Sequence, residues 1–191
     1  MPTLIKTPET SSLLDGFTFD EIESMLEQNL YLRSYIKGYL AEFRLQKFLS
    51  DIPGVTSVTK IPDEASRKGD FEVIYKGQTF VYECKSVILG SVKDSKDGKS
   101  WSARVKVQNS TCRYVDVEGV QKRITNLPKG TFDILAISTY EVDGKWNFLF
   151  MENQHLPESL PGYLSTGFVL DLSKTKNVVK NPSDIMELSL K

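Results

Sequence analysis

Two carboxylates and an ammonium group stand in a short stretch that otherwise has the pattern of a β-hairpin. The stretch is KGDFEVIYKGQTFVYECKS, residues 68 to 86, and the charged groups are Asp70, Glu83 and Lys85. If the Lys-Gly pair in its middle forms a two-residue turn, Asp70 lies directly opposite Glu83, and Lys85 shares their face. Like charges placed opposite each other destabilise a hairpin, so this pair needs compensation.

Paired carboxylates can share a proton, pair with cations or bind a metal ion. A turn shifted to Gly77-Gln78 would set Asp70 opposite Lys85 and would still keep the three groups on one face. Carboxylate oxygens with room for water suit Mg²⁺ or Mn²⁺ better than zinc. The alternative is an exposed sheet face on which Glu83 and Lys85 form an ordinary surface ion pair. The residues alone leave both interpretations open.

A predicted helix over about residues 31 to 49 adds a third carboxylate, Glu42. At ~100° per residue, Glu42 falls close to the middle of an apolar arc. A glutamate there would be buried against the sheet, and buried carboxylates are rare unless they are paired or metal-bound. The alternatives are a helix rotated so that Glu42 lies at an edge, or a Glu42 paired with Gln46 one turn later.

Helical patterns precede the hairpin and must position it. Thr18 and Glu21 form a capping box that predicts the start of a first helix, which runs to about Asn29. Pro53 and Gly54 break the pattern of the second helix.

Strand patterns follow the hairpin. A polar loop over residues 90 to 100 precedes WSARVKVQ, in which apolar residues alternate with a basic side. FDILAIST is a nearly continuous apolar run, typical of a fully buried central strand. GKWNFLFM and GFVLDL predict two more strands. Helices followed by strands indicate an α/β or α+β fold around a mixed sheet.

The composition excludes several function classes. A net charge of −1 excludes a strongly basic nucleic-acid coat but not a local basic face. His155 is the single histidine, and Cys84 and Cys112 lack metal-ligand spacing, so a multi-histidine zinc site is excluded. No nucleophile motif accompanies His155. No apolar run approaches the ~18 residues of a membrane span, and no secretory signal opens the chain, so a cytoplasmic location is expected.

The order of a helix with an inward Glu, a strand-borne Asp and E-x-K on the paired strand resembles the PD-(D/E)xK nuclease superfamily. The matching stretches are GYLAEFRLQKFL, KGDFEV and VYECKSV. Two features depart from the pattern. Gly69 stands where the superfamily name has Pro, and WSARVKVQ is predicted as a strand where that core has a helix.

The resemblance implies an α/β fold with a restriction-endonuclease-like mixed β-sheet core flanked by helices, with N-terminal helices and extra C-terminal strands. The expected organisation is a single nuclease-like domain over 1–191. Within it, 1–30 would be a helical extension, 31–150 the catalytic core and 151–191 the C-terminal strands.

The resemblance also implies roles for individual residues. Asp70 and Glu83 would ligate Mg²⁺, with Mn²⁺ as a substitute, and Glu42 would hold a water on that ion or contribute to a second one. Lys85 would position or help deprotonate the attacking water and offset charge on the phosphate. The chemistry would be hydrolysis of a phosphodiester with no covalent protein intermediate.

DNA would be held mainly through phosphate contacts from cations near the hairpin. The cationic candidates are Arg67, Lys68, Lys93, Lys96, Lys99, Arg104 and Lys106, with Arg113, Lys122 and Arg123 as further ones. The neutral Gln108 is a candidate to hold the active site or a phosphate, or it is simply a polar strand residue. Gln108 and Tyr114 do not have the Q-x-x-x-Y spacing of the exonuclease-like branch.

The preferred interpretation is a Mg²⁺-dependent endonuclease of double-stranded DNA, of the type II restriction kind and acting as a homodimer. The first alternative is a structure-specific junction or repair nuclease. Another is a non-catalytic nucleic-acid-binding module with the same fold. The last is an interaction domain in which the motif is accidental.

Overall fold

The computed structural model describes residues 16–63, 69–95, 98–117 and 119–190. The helices are α1 (Phe19–Gln28), α2 (Leu30–Ser50), α3 (Tyr140–Asp143) and α4 (Ser183–Leu188). The strands are β1 (Val55–Lys60), β2 (Phe71–Tyr75), β3 (Gln78–Ser86), β4 (Lys93–Asp94), β5 (Trp101–Lys106), β6 (Gln108–Val117), β7 (Val120–Asn126), β8 (Ile134–Ser138), β9 (Phe148–Glu152), β10 (Glu158–Leu160), β11 (Tyr163–Leu164) and β12 (Gly167–Asp171). No helix in this described part of the chain is long and apolar enough to span a membrane.

The chain divides into two compact units, one up to Lys37 and one from Gly38 onward. In the first unit, the predicted capping box begins α1: the Thr18 hydroxyl accepts the N–H of Glu21, and the Glu21 carboxylate accepts the N–H of Thr18. The predicted bounds of α1 and α2 are confirmed to within a residue or two. The division at residues 30 and 150 stays a prediction, and the described chain ends in α4 rather than in a strand.

The second unit is built on a five-stranded mixed sheet with the order β1-β2-β3-β8-β9. The β3 and β8 strands are parallel, and the other neighbours are antiparallel. All five residues of β8 are buried, which confirms the central strand predicted from its apolar run. Such a strand needs apolar side chains on both faces because each face is covered by another layer.

Each face of the sheet has its own core. On the helix-side face, residues such as Ile134 and Ala136 pack with Ala41 and Leu45 of α2 and with Met186 of α4. The period of α2 explains this contact, because residues three to four apart lie on the same face of a helix.

The opposite face, the strand-side face, is covered by a second sheet with the order β12-β5-β4. Leu135 and Ile137 of β8 pack there with Ala103 and Val105 of β5 and with Leu170 of β12. WSARVKVQ is therefore a strand, as its alternation predicts. Among the described residues, α2 and α4 pack on one face of the central sheet and strands on the other, so the expectation of a sheet core flanked by helices is met on one side only.

The register of the hairpin agrees with the sequence arithmetic. Pairs run from Phe71 with Tyr82 to Tyr75 with Gln78. The turn residues Lys76 and Gly77 both have positive φ, at 47° and 84°, as a type I′ turn requires.

Several elements were not predicted, namely β1, the β6–β7 hairpin, β10, β11, α3 and α4, and the short strand β4 lies within the stretch predicted as a polar loop. The β7 strand shows why, because its first four residues are exposed and so leave no apolar alternation to detect. The β6–β7 pair is a two-stranded sheet of its own.

Gly69 fits its position only without a side chain. Its φ is +102°, and an added Cβ would lie 2.4 Å from Val81 Cγ1 and 3.2 Å from the Tyr82 carbonyl oxygen. Proline holds φ near about −65°, so the proline of the superfamily name cannot adopt this backbone conformation.

We expect Gly69→Ala to lower the free energy of unfolding by about 2–4 kcal/mol, because left-handed strain and a clash with Val81 add together. Gly77→Ala is the matched control: its φ is also positive, at +84°, but no atom lies within 4 Å of an added Cβ. The control should cost only about 1–2 kcal/mol. Urea denaturation followed by circular dichroism measures both values, and equal losses would show that the clash is absent.

Candidate active site

Asp70 stands where the chain enters the hairpin, and three hydrogen bonds hold it. Its N–H donates to the Tyr82 carbonyl at 2.7 Å, and its own carbonyl accepts the N–H of Ile61 at 2.9 Å. Its Oδ2 accepts the backbone N–H of Cys84 at 2.7 Å. The ladder pairs end at Phe71, so the direct opposition of Asp70 and Glu83 expected from the sequence is replaced by a carboxylate that reaches across to the backbone of β3.

Glu83 and Lys85 share a face of β3, as predicted, and form an ion pair between Oε1 and Nζ. Val81 lies two residues earlier on the same strand face and packs in the strand-side core. The pair is largely enclosed: Glu83 is 7% exposed, and the Lys85 side chain is 25% exposed. It is therefore not the exposed surface pair of the alternative interpretation.

Burial and charge act on this pair in opposite directions. Burial raises the pKa of Glu83, the Lys85 ammonium partly offsets that rise, and the charge of Asp70 adds to it. For Lys85, burial disfavours the charged form, but Glu83 and Asp70 outweigh it and raise the pKa. Asp70 and Glu83 thus lie close enough to repel, which is the crowding that the hairpin pattern indicates.

Glu42 approaches from the helix side and is half-buried, with 20% of its side chain exposed. Burial raises its pKa, and the charge of Asp70 adds to the rise, while Lys60 works against it. Its partner is not Gln46, whose Nε2 lies 3.5 Å from the Val58 carbonyl oxygen instead. Glu42 Oε2 lies 2.7 Å from Lys60 Nζ.

Lys60 is the residue that the sequence reasoning missed. From the end of β1, its Nζ lies 2.7 Å from Glu42 Oε2, 3.3 Å from Asp63 Oδ1 and 3.7 Å from Asp70 Oδ1. No motif contains this lysine, and its neighbour across the sheet, Phe71, becomes known only once β1 is placed beside β2. The Lys60 ammonium thus links Glu42 of α2 to Asp70 at the start of the hairpin.

The donor atoms of Glu42 and Asp70 fit a hard divalent cation in chemical type. Glu42 and Asp70 border the same ammonium group, so the space between them already accommodates a positive charge. Carboxylate oxygens are the ligands that Mg²⁺ and Mn²⁺ take in proteins. In the described residues, however, there is no group of three or more His, Cys, Asp or Glu side chains placed to hold a metal ion. Lys60 and Lys85 engage the carboxylates instead.

The basic candidates for DNA contact are distributed over the strand-side layer. Lys93 and Lys99 are exposed on and after β4, and Arg104 and Lys106 are exposed on β5. The predicted alternation of β5 is thus confirmed, with Ala103 and Val105 inward and the two cations outward. Gln108 is half-buried at the start of β6 and pairs with Asn126. Arg67, Lys68 and Lys96 lie outside the described residues.

The β6–β7 pair carries the remaining cations. Arg113 is half-buried, whereas Lys122 and Arg123 are exposed. None of the hydrogen bonds and ion pairs between described residues joins these three side chains to the carboxylates of the hairpin.

The side chains of the two cysteines and the histidine take no part in the candidate site, although the Cys84 backbone N–H binds Asp70. Cys84 is buried in the helix-side core, where burial raises the pKa of its thiol, and Cys112 is exposed. His155 Nε2 lies 3.0 Å from Glu152 Oε2.

Comparisons with known proteins leave the family open. No protein-family model matches the chain, and no curated protein matches its sequence. Among solved structures, a bacterial homing endonuclease is similar to it, with a TM-score of 0.42 and 16% sequence identity. The match covers 82% of this chain and 92% of that chain. A match at this level does not identify a family.

Removing the Lys85 charge should destabilise the folded state, because the buried Glu83 carboxylate then has no partner. We expect Lys85→Met to lower the free energy of unfolding at neutral pH by about 2–4 kcal/mol, because Glu83 is left buried and unpaired. The folded state then binds a proton more tightly than the unfolded state. The loss should therefore grow as the pH rises above the ordinary Glu pKa of 4.5 and shrink below it.

The double variant Glu83→Gln/Lys85→Met should recover most of that loss, to within about 1 kcal/mol of the wild type, because neither charge remains. Lys76→Met is the control, since it removes an exposed pair with Glu187 and should cost at most about 1 kcal/mol. Thermal unfolding between pH 4 and 8 gives the comparison. A double variant as unstable as Lys85→Met would contradict the assignment of the cost to unpaired charge.

Proposed function

We propose that the protein is a Mg²⁺-dependent endonuclease that hydrolyses phosphodiester bonds of double-stranded DNA. The observation that carries the proposal is that Glu42 and Asp70 meet at Lys60, while Glu83, paired with Lys85, lies near enough to both carboxylates for their charges to raise its pKa. Clustered carboxylates oppose folding unless nearby positive charge offsets their repulsion. Catalysis at a bound cation would explain why the protein has such a cluster despite this cost.

Asp70, Glu83 and Glu42 are the residues that would hold the cation. When bound, Mg²⁺ lowers the pKa of a water ligand and offsets charge on the scissile phosphate. The Asp70 carboxylate is oriented for this role by the Cys84 N–H, which fixes one oxygen and leaves the other facing the site. Mn²⁺ would fit the same donors.

Lys85 acts as a hydrogen-bond donor beside these carboxylates. Its ammonium donates to Glu83, so its remaining N–H groups can orient the attacking water or contact a phosphate oxygen. Of the two roles that the resemblance implies for Lys85, this geometry favours positioning and charge offset over deprotonation of the water.

DNA phosphates are assigned to the exposed cations of the strand-side layer, Lys93, Lys99, Arg104 and Lys106. Gln108, Arg67, Lys68 and Lys96 complete the proposed contact set on the basis of their sequence positions. Phosphate contacts of this kind fix the register of DNA without reading its sequence. We further propose that the protein acts as a homodimer that cuts both DNA strands at a defined sequence, as a type II restriction endonuclease does.

The proposal predicts cleavage of supercoiled plasmid with Mg²⁺ and none with EDTA. Glu83→Gln and Lys85→Met should each lower the cleavage rate by about 100-fold or more, because each removes charge from the reacting centre. Glu158→Gln is the control, since that carboxylate also pairs with a lysine, Lys129, outside the site. Its rate should equal the wild-type rate.

The same assay separates the alternatives. Discrete fragments from linear DNA would support the restriction form, whereas preferred cutting of a synthetic four-way junction would support a junction nuclease. Binding of either DNA without Mg²⁺-dependent cleavage would identify a non-catalytic binding module. Undiminished cleavage by both site variants would show that the active site lies elsewhere, and light scattering with and without DNA tests the homodimer.

A further inference from the structure

Lys60 occupies a position that the proposed reaction leaves unexplained. It ends β1, its Cα partner across the sheet is Phe71, and its ammonium lies 5.4 Å from the centre of the Phe71 ring. Three carboxylates surround the ammonium within 4 Å, those of Glu42, Asp63 and Asp70. One positive charge thus faces three acidic groups, which leaves the cluster with an excess of negative charge.

The groups around the Lys60 ammonium are held in place by other contacts of the fold. Tyr39 Oη donates to Asp63 Oδ2 at 3.1 Å, so Asp63 is held from α2 independently of Lys60. The Nζ of Lys60 and Oε2 of Glu42 are both shielded from solvent. Their 2.7 Å contact is therefore an ion pair enclosed by the protein.

We propose that Lys60 is the internal counter-ion of the candidate site and competes with the divalent cation for the carboxylates of Glu42 and Asp70. An ammonium 2.7 Å from one carboxylate and 3.7 Å from the other lies between the groups that the cation would need. The inference rests on the proposed function for the identity of the site, and it assigns to Lys60 the control of cation affinity.

The side chain has the means to move aside. The Lys60 side chain is 34% exposed. Its flexible stem of four carbons can rotate to carry the ammonium group into water. Displacement exchanges a single positive charge for a double one, which neutralises the carboxylates more completely. Lys60 thereby keeps the cluster stable without a cation and lowers the affinity for the cation by the same interaction. Lys60 is in this sense a positioning residue.

Calcium binding without DNA tests this role independently of catalysis. We expect Lys60→Met to bind Ca²⁺ about tenfold more tightly than the wild type in titration calorimetry, because the competing charge is gone. Lys60→Arg keeps the charge and should stay within about twofold of the wild type. Lys129→Met is the matched control, since Lys129 is also 34% exposed and pairs with Glu158, and its affinity should not change.

Thermal unfolding gives a second measurement on the same proteins. Lys60→Met leaves Glu42 without its partner, so it should melt below the wild type in EDTA and gain more from added Ca²⁺. Should the Met variant fail to fold, Lys60→Gln replaces it in both measurements.

The outcomes distinguish a failure of the counter-ion role of Lys60 from a failure of the proposed nuclease activity. Equal or weaker Ca²⁺ affinity in the neutral Lys60 variants would overturn the counter-ion role while leaving the proposed nuclease in place. Tighter binding in those variants would support the role even if no DNA were cleaved, in which case the proposed activity alone would fail. Absence of Ca²⁺ and Mn²⁺ binding in every protein would overturn both proposals.

Discussion

The hydrogen bond from the Cys84 N–H to the Asp70 carboxylate is the contact on which the candidate site depends. It ties the residue that precedes β2 to the strand that carries Glu83 and Lys85. Gly69 makes the bond possible, because its positive φ turns the chain toward β3 where a side chain would collide with Val81. Without this turn, Asp70 would continue the ladder, and its carboxylate would stand directly against Glu83.

The layered architecture explains why the acidic groups come from both sides of one sheet. Glu42 belongs to α2, which packs on the helix-side face, whereas Glu83 and Lys85 project toward the strand-side face. Asp70 immediately precedes β2, and Lys60 stands at the end of the neighbouring edge strand. Asp70 and Lys60 thus connect the two groups of charges: Lys60 pairs with Glu42 and Asp70, and Asp70 accepts a hydrogen bond from the backbone of β3.

The enclosed charges of the candidate site do little to stabilise the fold. Enclosed ion pairs such as Glu83 with Lys85 contribute little net free energy, because burial of both charges opposes their attraction. Burial raises the pKa of Glu83 and of Glu42, so each carboxylate opposes folding when it is ionised at neutral pH. Two lysines, Lys60 and Lys85, limit that effect and hold the charges in a compact arrangement.

Local patterns in the sequence determined the hairpin, the capping box of α1, the central strand β8 and the shared face of Glu83 and Lys85. Each depends on residues close in the chain or on a simple period, so each can be inferred without the fold. The tertiary structure alone decided that β1 lies beside β2 and that Lys60 meets Glu42, Asp63 and Asp70. It also decided that strands cover the second face. Those contacts join residues from separate elements, and their free energy appears only when packing brings the elements together.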